Sequence, residues 1–439
     1  MSRRGRVVIA MSIGSLMSVA SCSEPSLPDS TFEGEVIIVG AGASGLYAAY
    51  LLDRAGVSCR ILEASDRIGG RLGKVEGFAD FPIDEGAQWL HGRKSLVADL
   101  CREQGIAFRR DNSSVRYWFE GSLVRRLPKN PFSLAEDSSA ADISLSEFAA
   151  QKGFDASYDS ILAAAAGDFG AAPSDLSVKW TGVEGDKWSS GNADYKFEGT
   201  YFDVIAEHIA APILNRVELN EPVVSVDYSG ERIQVKTRNG TLHQCDRVVV
   251  TVPLTVLQDE VIEFTPVLPK EKTEAFSKLG MGPGMKVFLK FRKKFFQGLV
   301  IGGKACALYL DESVGKRGKD AVMLAFVMGD QAAAFTTLPT EDAIVKTLLE
   351  ELDEIYEGQA SEHFVDARVI DWSTRPFIGG AYSYPKVGAG KDVRTVAARP
   401  VKEQVYFAGE AMNRRGHPST VHGAMESALD AVRDLLESP

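Results

Sequence analysis

The sequence is poor in features that mark several common functional classes. Its five cysteines (Cys22, Cys59, Cys101, Cys245 and Cys306) are scattered, with no CxxC pair and no metal-ligand spacing. Neither a disulfide framework nor a cysteine metal site is therefore predicted. Positive charge is in deficit, with 49 Lys and Arg against 60 Asp and Glu and a formal charge of −11. That balance argues against a nucleic-acid partner, which calls for a basic face, and leaves room for cationic small molecules. There is no internal repeat and no heptad run. Long apolar runs are missing too: "VVIAMSIGSLMSVA" (7–20) is too short to cross ~30 Å of hydrocarbon at 1.5 Å per residue.

That stretch follows the basic "MSRRGR" and precedes "SC", the order of a signal peptide, expected over 1–22. "VAS" before Cys22 resembles a bacterial lipoprotein cleavage box, which would leave a lipidated cysteine as a membrane tether. "SRRGRV" resembles a twin-arginine export signal, although Arg6 departs from the apolar residue usual there. The expectation is an exported periplasmic or cell-envelope protein of a bacterium, with a Ser/Pro-rich linker over 23–33.

What remains is ordinary globular composition, 45% hydrophobic and 25% charged, over 439 residues, enough for two or three domains. The strongest local signal is "GEVIIVGAGASGLYAAYLLDRAGVSCRILEAS" (34–65). A short apolar strand runs into Gly40-x-Gly42-x-x-Gly45, a helix follows to Gly56, and a second strand ends at Glu63. Gly40 permits the tight turn, Gly42 lets a pyrophosphate approach the backbone, and Gly45 lets helix and strand pack closely. Ala43 and Ser44 open the helix, whose N-terminal N–H groups favour phosphate. Glu63, followed by Ala64, is placed to accept hydrogen bonds from ribose hydroxyls. This is a dinucleotide site.

The continuation "EASDRIGGRLGKV" distinguishes between dinucleotides. Gly69-Gly70-Arg71 after the ribose acid resembles the second phosphate-contact motif of the flavin amine oxidases, with Arg71 as an added cation. "DEGAQWLHG" (84–92) is similar to that family's stretch passing the flavin ring, through Gly86, Ala87, Gln88 and Trp89. "LNEPVVSVDYSG" begins what looks like its second flavin-domain segment, with Val223 near adenine. "DWSTRPFIGGAYSYP" (371–385) resembles the segment lining the substrate site. "VYFAGEAMNRRGHPSTVHGAMESALDAV" (405–432) closely matches the C-terminal FAD motif. There Gly409 and Glu410 would meet the ribityl or phosphate region, and Thr420 and Val421 would start a helix aimed at the flavin. The polyamine and spermine oxidase branch is the nearest in pattern.

The resemblance implies an α/β protein. Its Rossmann-like FAD-binding domain would be built from 34–92, 200–284 and 396–439, and its discontinuous α+β substrate domain from 93–199 and 285–395. The first insertion reads as largely helical, the second as strands plus the helix "TEDAIVKTLLEELDEIYEG", whose acids read as a solvated face. Ala381 stands where monoamine oxidases carry the cysteine bonded to flavin, so FAD should be noncovalent. No inserted coiled coil is visible, which counts against a histone demethylase-type relative.

"MGPGMKVFLKF" (281–291) is a turn followed by alternating strand residues. By resemblance, Lys286 holds a water near flavin N5, whereas Lys290 is left to solvent. His91 would hydrogen-bond the substrate amine. Trp89 and Tyr382 would flank ring and substrate, with Trp372, Tyr384 and Thr420 lining the same cavity. His422 reads as structural or cofactor-adjacent, and His417 is assigned no role. The reaction implied is hydride transfer from the carbon next to an amine nitrogen to flavin, hydrolysis of the imine, and reduction of O2 to peroxide. An L-amino-acid or cyclic-amine oxidase of the same fold would need a carboxylate-binding arginine, for which Arg116 and Arg375 are the candidates. A noncatalytic flavin-binding envelope protein is the reading from another class.

Overall fold

The computed structural model describes residues 27–28 and 32–438. The expected signal peptide, most of the linker and Cys22 lie outside the described residues. No described helix is long and apolar enough to cross a membrane.

One half of the molecule is organised by a five-stranded parallel sheet. Its order is Val217–Glu218, Ser58–Leu62, Glu35–Val39, Arg247–Val250, Val405–Phe407. The central strand is apolar at every position after Glu35 because both faces are covered, as parallel sheets require. Val36 and Ile38 face the helices Ala43–Arg54 and Val421–Glu437, while Ile37 and Val39 face a four-stranded sheet formed by 223–265. Each fully buried isoleucine contributes about 1.5–3 kcal/mol by leaving water. The mixed α/β architecture is thus the one expected.

The other half rests on a seven-stranded sheet in the order Phe364–Asp371, Gly284–Phe291, Ala321–Met328, Leu308–Asp311, Leu299–Ile301, Val115–Phe119, Ser122–Val124. Here the reading of 93–199 as largely helical needs correction. Helices do form at Leu96–Glu103, Leu145–Gln151, Asp159–Gly167 and Val178–Asp186. "VRYWF" (115–119), however, is β-branched and aromatic and joins the large sheet, and Asp194–Phe197 pairs with Leu90–His91. Short strands of this kind are fixed by partners distant in sequence rather than by local propensity.

The long helix Glu341–Tyr356 starts at a Thr340 cap. Glu341, Asp342, Glu350 and Glu354 are exposed, but Glu351 turns inward to accept from Ala305 N, Cys306 N and the Tyr309 hydroxyl. Lys290 also departs from expectation. It is half-buried, donating to Phe78 O and pairing with Asp320 at 2.7 Å. The strand it shares with Lys286 is buried on both faces, with Met285, Val287 and Leu289 in one core cluster and Phe288 in another.

Candidate active site

A single cavity of about 580 Å³ runs from the glycine loop after the first strand to the large sheet. At one end the chain offers mostly backbone. Gly40 adopts φ +103°, a left-handed geometry that disfavours side chains. A Cβ on Gly45 would lie 1.9 Å from Gly40 O, so the helix can start there only on glycine. Gly45 itself does not line the cavity, and its part is packing. Gly42 is different, because a Cβ there would meet nothing within 4 Å and would project into open space. The helix Ala43–Arg54 begins at Gly42 with no side-chain cap, leaving its first N–H groups to whatever fills the cavity. Ser44 Oγ is buried there without a hydrogen-bond partner.

Glu63 closes this end. Its Oε2 accepts from Ala41 N at 2.6 Å and its Oε1 from Ser65 N and Oγ. The second glycine turn is tied to the first by a parallel bridge between Gly42 and Gly69 and by Gly69 N donating to Ala41 O. Ala64, Gly70 and Val223 also border the cavity, and Gly86 sits so close to Arg71 O that a Cβ could not fit.

Arg71 reaches across to the C-terminal segment. Its Nη1 donates to Ala381 O and Glu410 Oε1 at 2.7 and 2.9 Å. Glu410 Oε2 accepts from Ser383 Oγ and Ser419 N. Burial alone would push the Glu410 carboxyl up, but Arg71 and Arg394, helped by the Ser383 hydroxyl, hold it below its ordinary range. Glu410 borders the cavity beside Gly409, yet both its oxygens are committed to protein. Through Oε1 it orients Arg71 at the cavity wall.

At the other end side chains dominate. Lys286 is buried, and Nζ donates to Asp84 O, Gly86 O and Gln88 Oε1. An ammonium has three donors, so a water beside Lys286 would have to share or displace one of these acceptors. Burial lowers the Lys286 ammonium to about 8, with Glu312 and Asp84 opposing and Lys196 and Lys316 reinforcing the drop. Trp89 lines the cavity, its indole donating to Asp111 Oδ2 at 3.1 Å and its ring meeting Phe326 edge-on. Tyr382 lines it as well, with its hydroxyl on Gly167 O. Trp372 is buried in the wall under the Arg375 guanidinium, 4.5 Å from its ring centre. Thr420 borders the cavity, but its hydroxyl is used in capping, donating to His417 O and accepting from Gly423 N. It starts the helix Val421–Glu437, so that helix opens toward the cavity.

Tyr384 does not line the cavity. It packs against Gly280 and Gly282 with its hydroxyl toward Asp175, because Ser383–Pro385 pairs with Leu279–Met281 and sets Tyr384 opposite Gly280. His91 borders the cavity and is held through Nδ1 by Asp194 Oδ1 at 2.7 Å. The sequence reading missed Asp194, whose only signal is a strand register linking positions more than a hundred residues apart. His417 and His422 are buried around Ser190, with His417 Nδ1 on Glu426. Together with Glu426 they have the proximity of metal ligands, yet these groups are hydrogen-bonded among themselves and to serine.

The family model described as flavin containing amine oxidoreductase matches residues 43–162 and 129–436. The chain belongs to this family. The glycine cradle, the orphaned Ser44 hydroxyl and the uncapped helix start fit a flavin dinucleotide, and the cofactor of this flavin amine oxidoreductase is FAD. Among curated proteins it is 29% identical to lysine-specific histone demethylase 2 of Homo sapiens, over 92% of this chain and 53% of that protein. It is 27% identical to polyamine oxidase 4 of Oryza sativa subsp. japonica, over 90% and 87% respectively. The chain spans about half the length of the two demethylases it matches in human and mouse. The lack of a coiled coil therefore does not separate this flavin amine oxidoreductase from demethylase-type relatives. Among solved structures, wild-type putrescine oxidase bound to putrescine aligns with a TM-score of 0.78 at 21% identity, covering 93% of this chain and all of the other. Cyclohexylamine oxidase from Brevibacterium oxydans gives 0.77 at 20%, covering 92% and 99%. At these identities the likeness is one of fold.

Proposed function

We propose that the chain is an FAD-dependent oxidase of primary or secondary amines, with polyamine-like cations as the first class to test. The observation that carries this reading is the continuity of the cavity, from the dinucleotide cradle to a buried lysine, with Trp89, Tyr382 and His91 on the same wall. FAD, when bound, accepts a hydride from the carbon next to an amine nitrogen. The chain's own residues prepare that step. Asp111, Asp168 and Asp194 put carboxylates on the wall, which suits a cationic substrate. His91, held by Asp194, can exchange a hydrogen bond with the amine, and Trp89 and Tyr382 present aromatic faces to it. Lys286 keeps a positive charge available at the reacting end, and the helix start at Thr420–Val421 adds partial positive charge. For a secondary amine the balance is amine, O2 and water giving an aldehyde, a smaller amine and hydrogen peroxide.

Among the described residues no cysteine lines the cavity, and Ala381 does, which supports noncovalent FAD. For the amino-acid oxidase alternative, Arg116 lies exposed on the large sheet, whereas Arg375 lines the cavity with Nη2 paired to Glu85 at 2.5 Å and Nη1 without a partner, so amino acids belong in the test. The test is a panel of diamines, polyamines, methylated-lysine peptides and amino acids, read by peroxide release with products identified by mass. Yellow protein that releases no peroxide with any of them would point instead to a binding role. Export is a further proposal, supported by "SRR" at 2–4. Replacing Arg3 and Arg4 by lysine should abolish flavin-loaded protein outside the cytoplasm.

A further inference from the structure

Behind the cavity wall, next to Lys286 and Asp111, lie two buried charges, Lys196 and Glu312, that the reaction outlined above does not use. Lys196, Glu312, Asp111 and Lys286 are all almost fully buried, as is Gln88 between them. Gln88 Oε1 accepts from Lys286, and Gln88 Nε2 donates to Glu312 Oε2 at 3.2 Å. Lys196 Nζ lies 3.9 Å from that same Glu312 oxygen and 3.8 Å from Asp111 Oδ2. Asp111 Oδ2 in turn accepts from the Trp89 indole, and Lys196 sits 5.6 Å from the centre of the Trp89 ring. The chain of contacts thus begins and ends on residues that line the cavity, while Lys196 and Glu312 do not line it.

Burying four charges is a poor way to gain stability, since desolvation offsets most of the attraction and apolar replacements are often neutral or better. The geometry suits another task. Gln88 could present either amide atom to Lys286, and Glu312, which accepts hydrogen bonds when ionised, selects the orientation with oxygen toward the lysine. Lys196 then holds Glu312 and Asp111 together, fixing Gln88 and Trp89 as one unit. We infer that Lys196 and Glu312 are positioning residues, acting through Gln88 and Asp111 to orient Lys286 and Trp89 and to govern whether Lys286 carries its proton. The role in amine oxidation rests on the proposed function, whereas the link between the network and the Lys286 proton does not.

The charged groups that face Lys286 are Glu312, Asp84, Lys196 and Lys316, and burial also pushes Asp84 up, to about 7, against Lys316 and Lys286. Removing Glu312's charge should therefore favour the neutral lysine, and removing Lys196's charge should favour the ammonium. The experiment is a pH titration of the Lys286 side chain in holoprotein carrying 13Cε-labelled lysine, with the resonance assigned by its loss in Lys286→Met. Glu312→Gln should move the inflection about one pH unit lower and Lys196→Met about one pH unit higher, while Lys196→Arg should restore the wild-type curve. If a single variant gives no folded holoprotein, Lys196→Met with Asp111→Asn removes one charge of each sign and should show the same upward move. Shifts in the same direction, or unchanged curves with only a lower melting temperature, would overturn the inference. Turnover is then read separately: kcat against pH should follow the titration with little change in KM. Moved titrations in a protein that oxidises no amine would retain the network and reject the proposed function.

Discussion

The two ends of the cavity are built from different material. The dinucleotide end is made of main chain: left-handed glycines, uncapped helix N–H groups and one acid folded back on its own strand's neighbour. The reacting end is made of long side chains from four separated stretches, around 84–91, 111, 194–196 and 286–312, held by ion pairs and hydrogen bonds. Main chain tolerates almost any outward-facing side chain but no added Cβ where it packs. A side-chain network tolerates backbone shifts but not the loss of one partner. The same cavity should therefore fail in two distinct ways.

The largest effect should come from a single methyl group. Gly45→Ala places carbon against Gly40 O and should leave no flavin-loaded protein, whereas Gly42→Ala should melt as wild type does and lose only flavin affinity. Flavin content and thermal melts distinguish the two, and equal behaviour would dissolve the contrast between packing and approach. Next in size is Lys286→Met, expected to keep FAD bound but slow turnover on the order of 10²-fold or more, as read by stopped-flow absorbance.

A smaller effect depends on pH. Because the folded state holds Glu410 below its ordinary value, the stability it contributes is present above pH about 4.5 and is lost as pH falls through the folded value. Thermal melts should show Glu410→Gln destabilised at neutral pH, with the gap to wild type narrowing in acid. A gap that stays constant with pH would remove Glu410 from the ionic account. Smallest of all, Ser44→Ala removes a hydroxyl with no protein partner. It should leave the flavin-free protein unchanged and weaken FAD binding roughly fivefold, a loss of about 1 kcal/mol.

This contrast also explains what could be read before the fold was known. Gly40, Gly42, Glu63 and Arg71 lie within one short stretch, and each does its work through local backbone geometry, so their spacing carried the message. Lys286 was legible only through the resemblance of its surroundings, because strand alternation alone is equally consistent with a solvent-facing lysine. Lys290, four residues on, shows how weak that pattern is, since it too turns inward to Asp320. Asp194, Lys196 and Glu312 were not legible. Their roles come from pairing of Asp194–Phe197 with Leu90–His91 and from a turn after Leu308–Asp311, registers that no local pattern specifies. Tyr384 was misplaced for a related reason: its pairing with Gly280 sets its ring on the glycines there, a register that no local pattern specifies.

The parallel sheet beneath the glycine loop has its outer strand at Val405–Phe407, and Arg71 closes onto Glu410 across 339 positions of sequence. A ribosome that has made the nucleotide motif still has most of the polypeptide to translate before that clasp exists. Cofactor capture is accordingly a late event in biogenesis, and truncation near the carboxyl end should yield a colourless product even though every glycine of the fingerprint is intact.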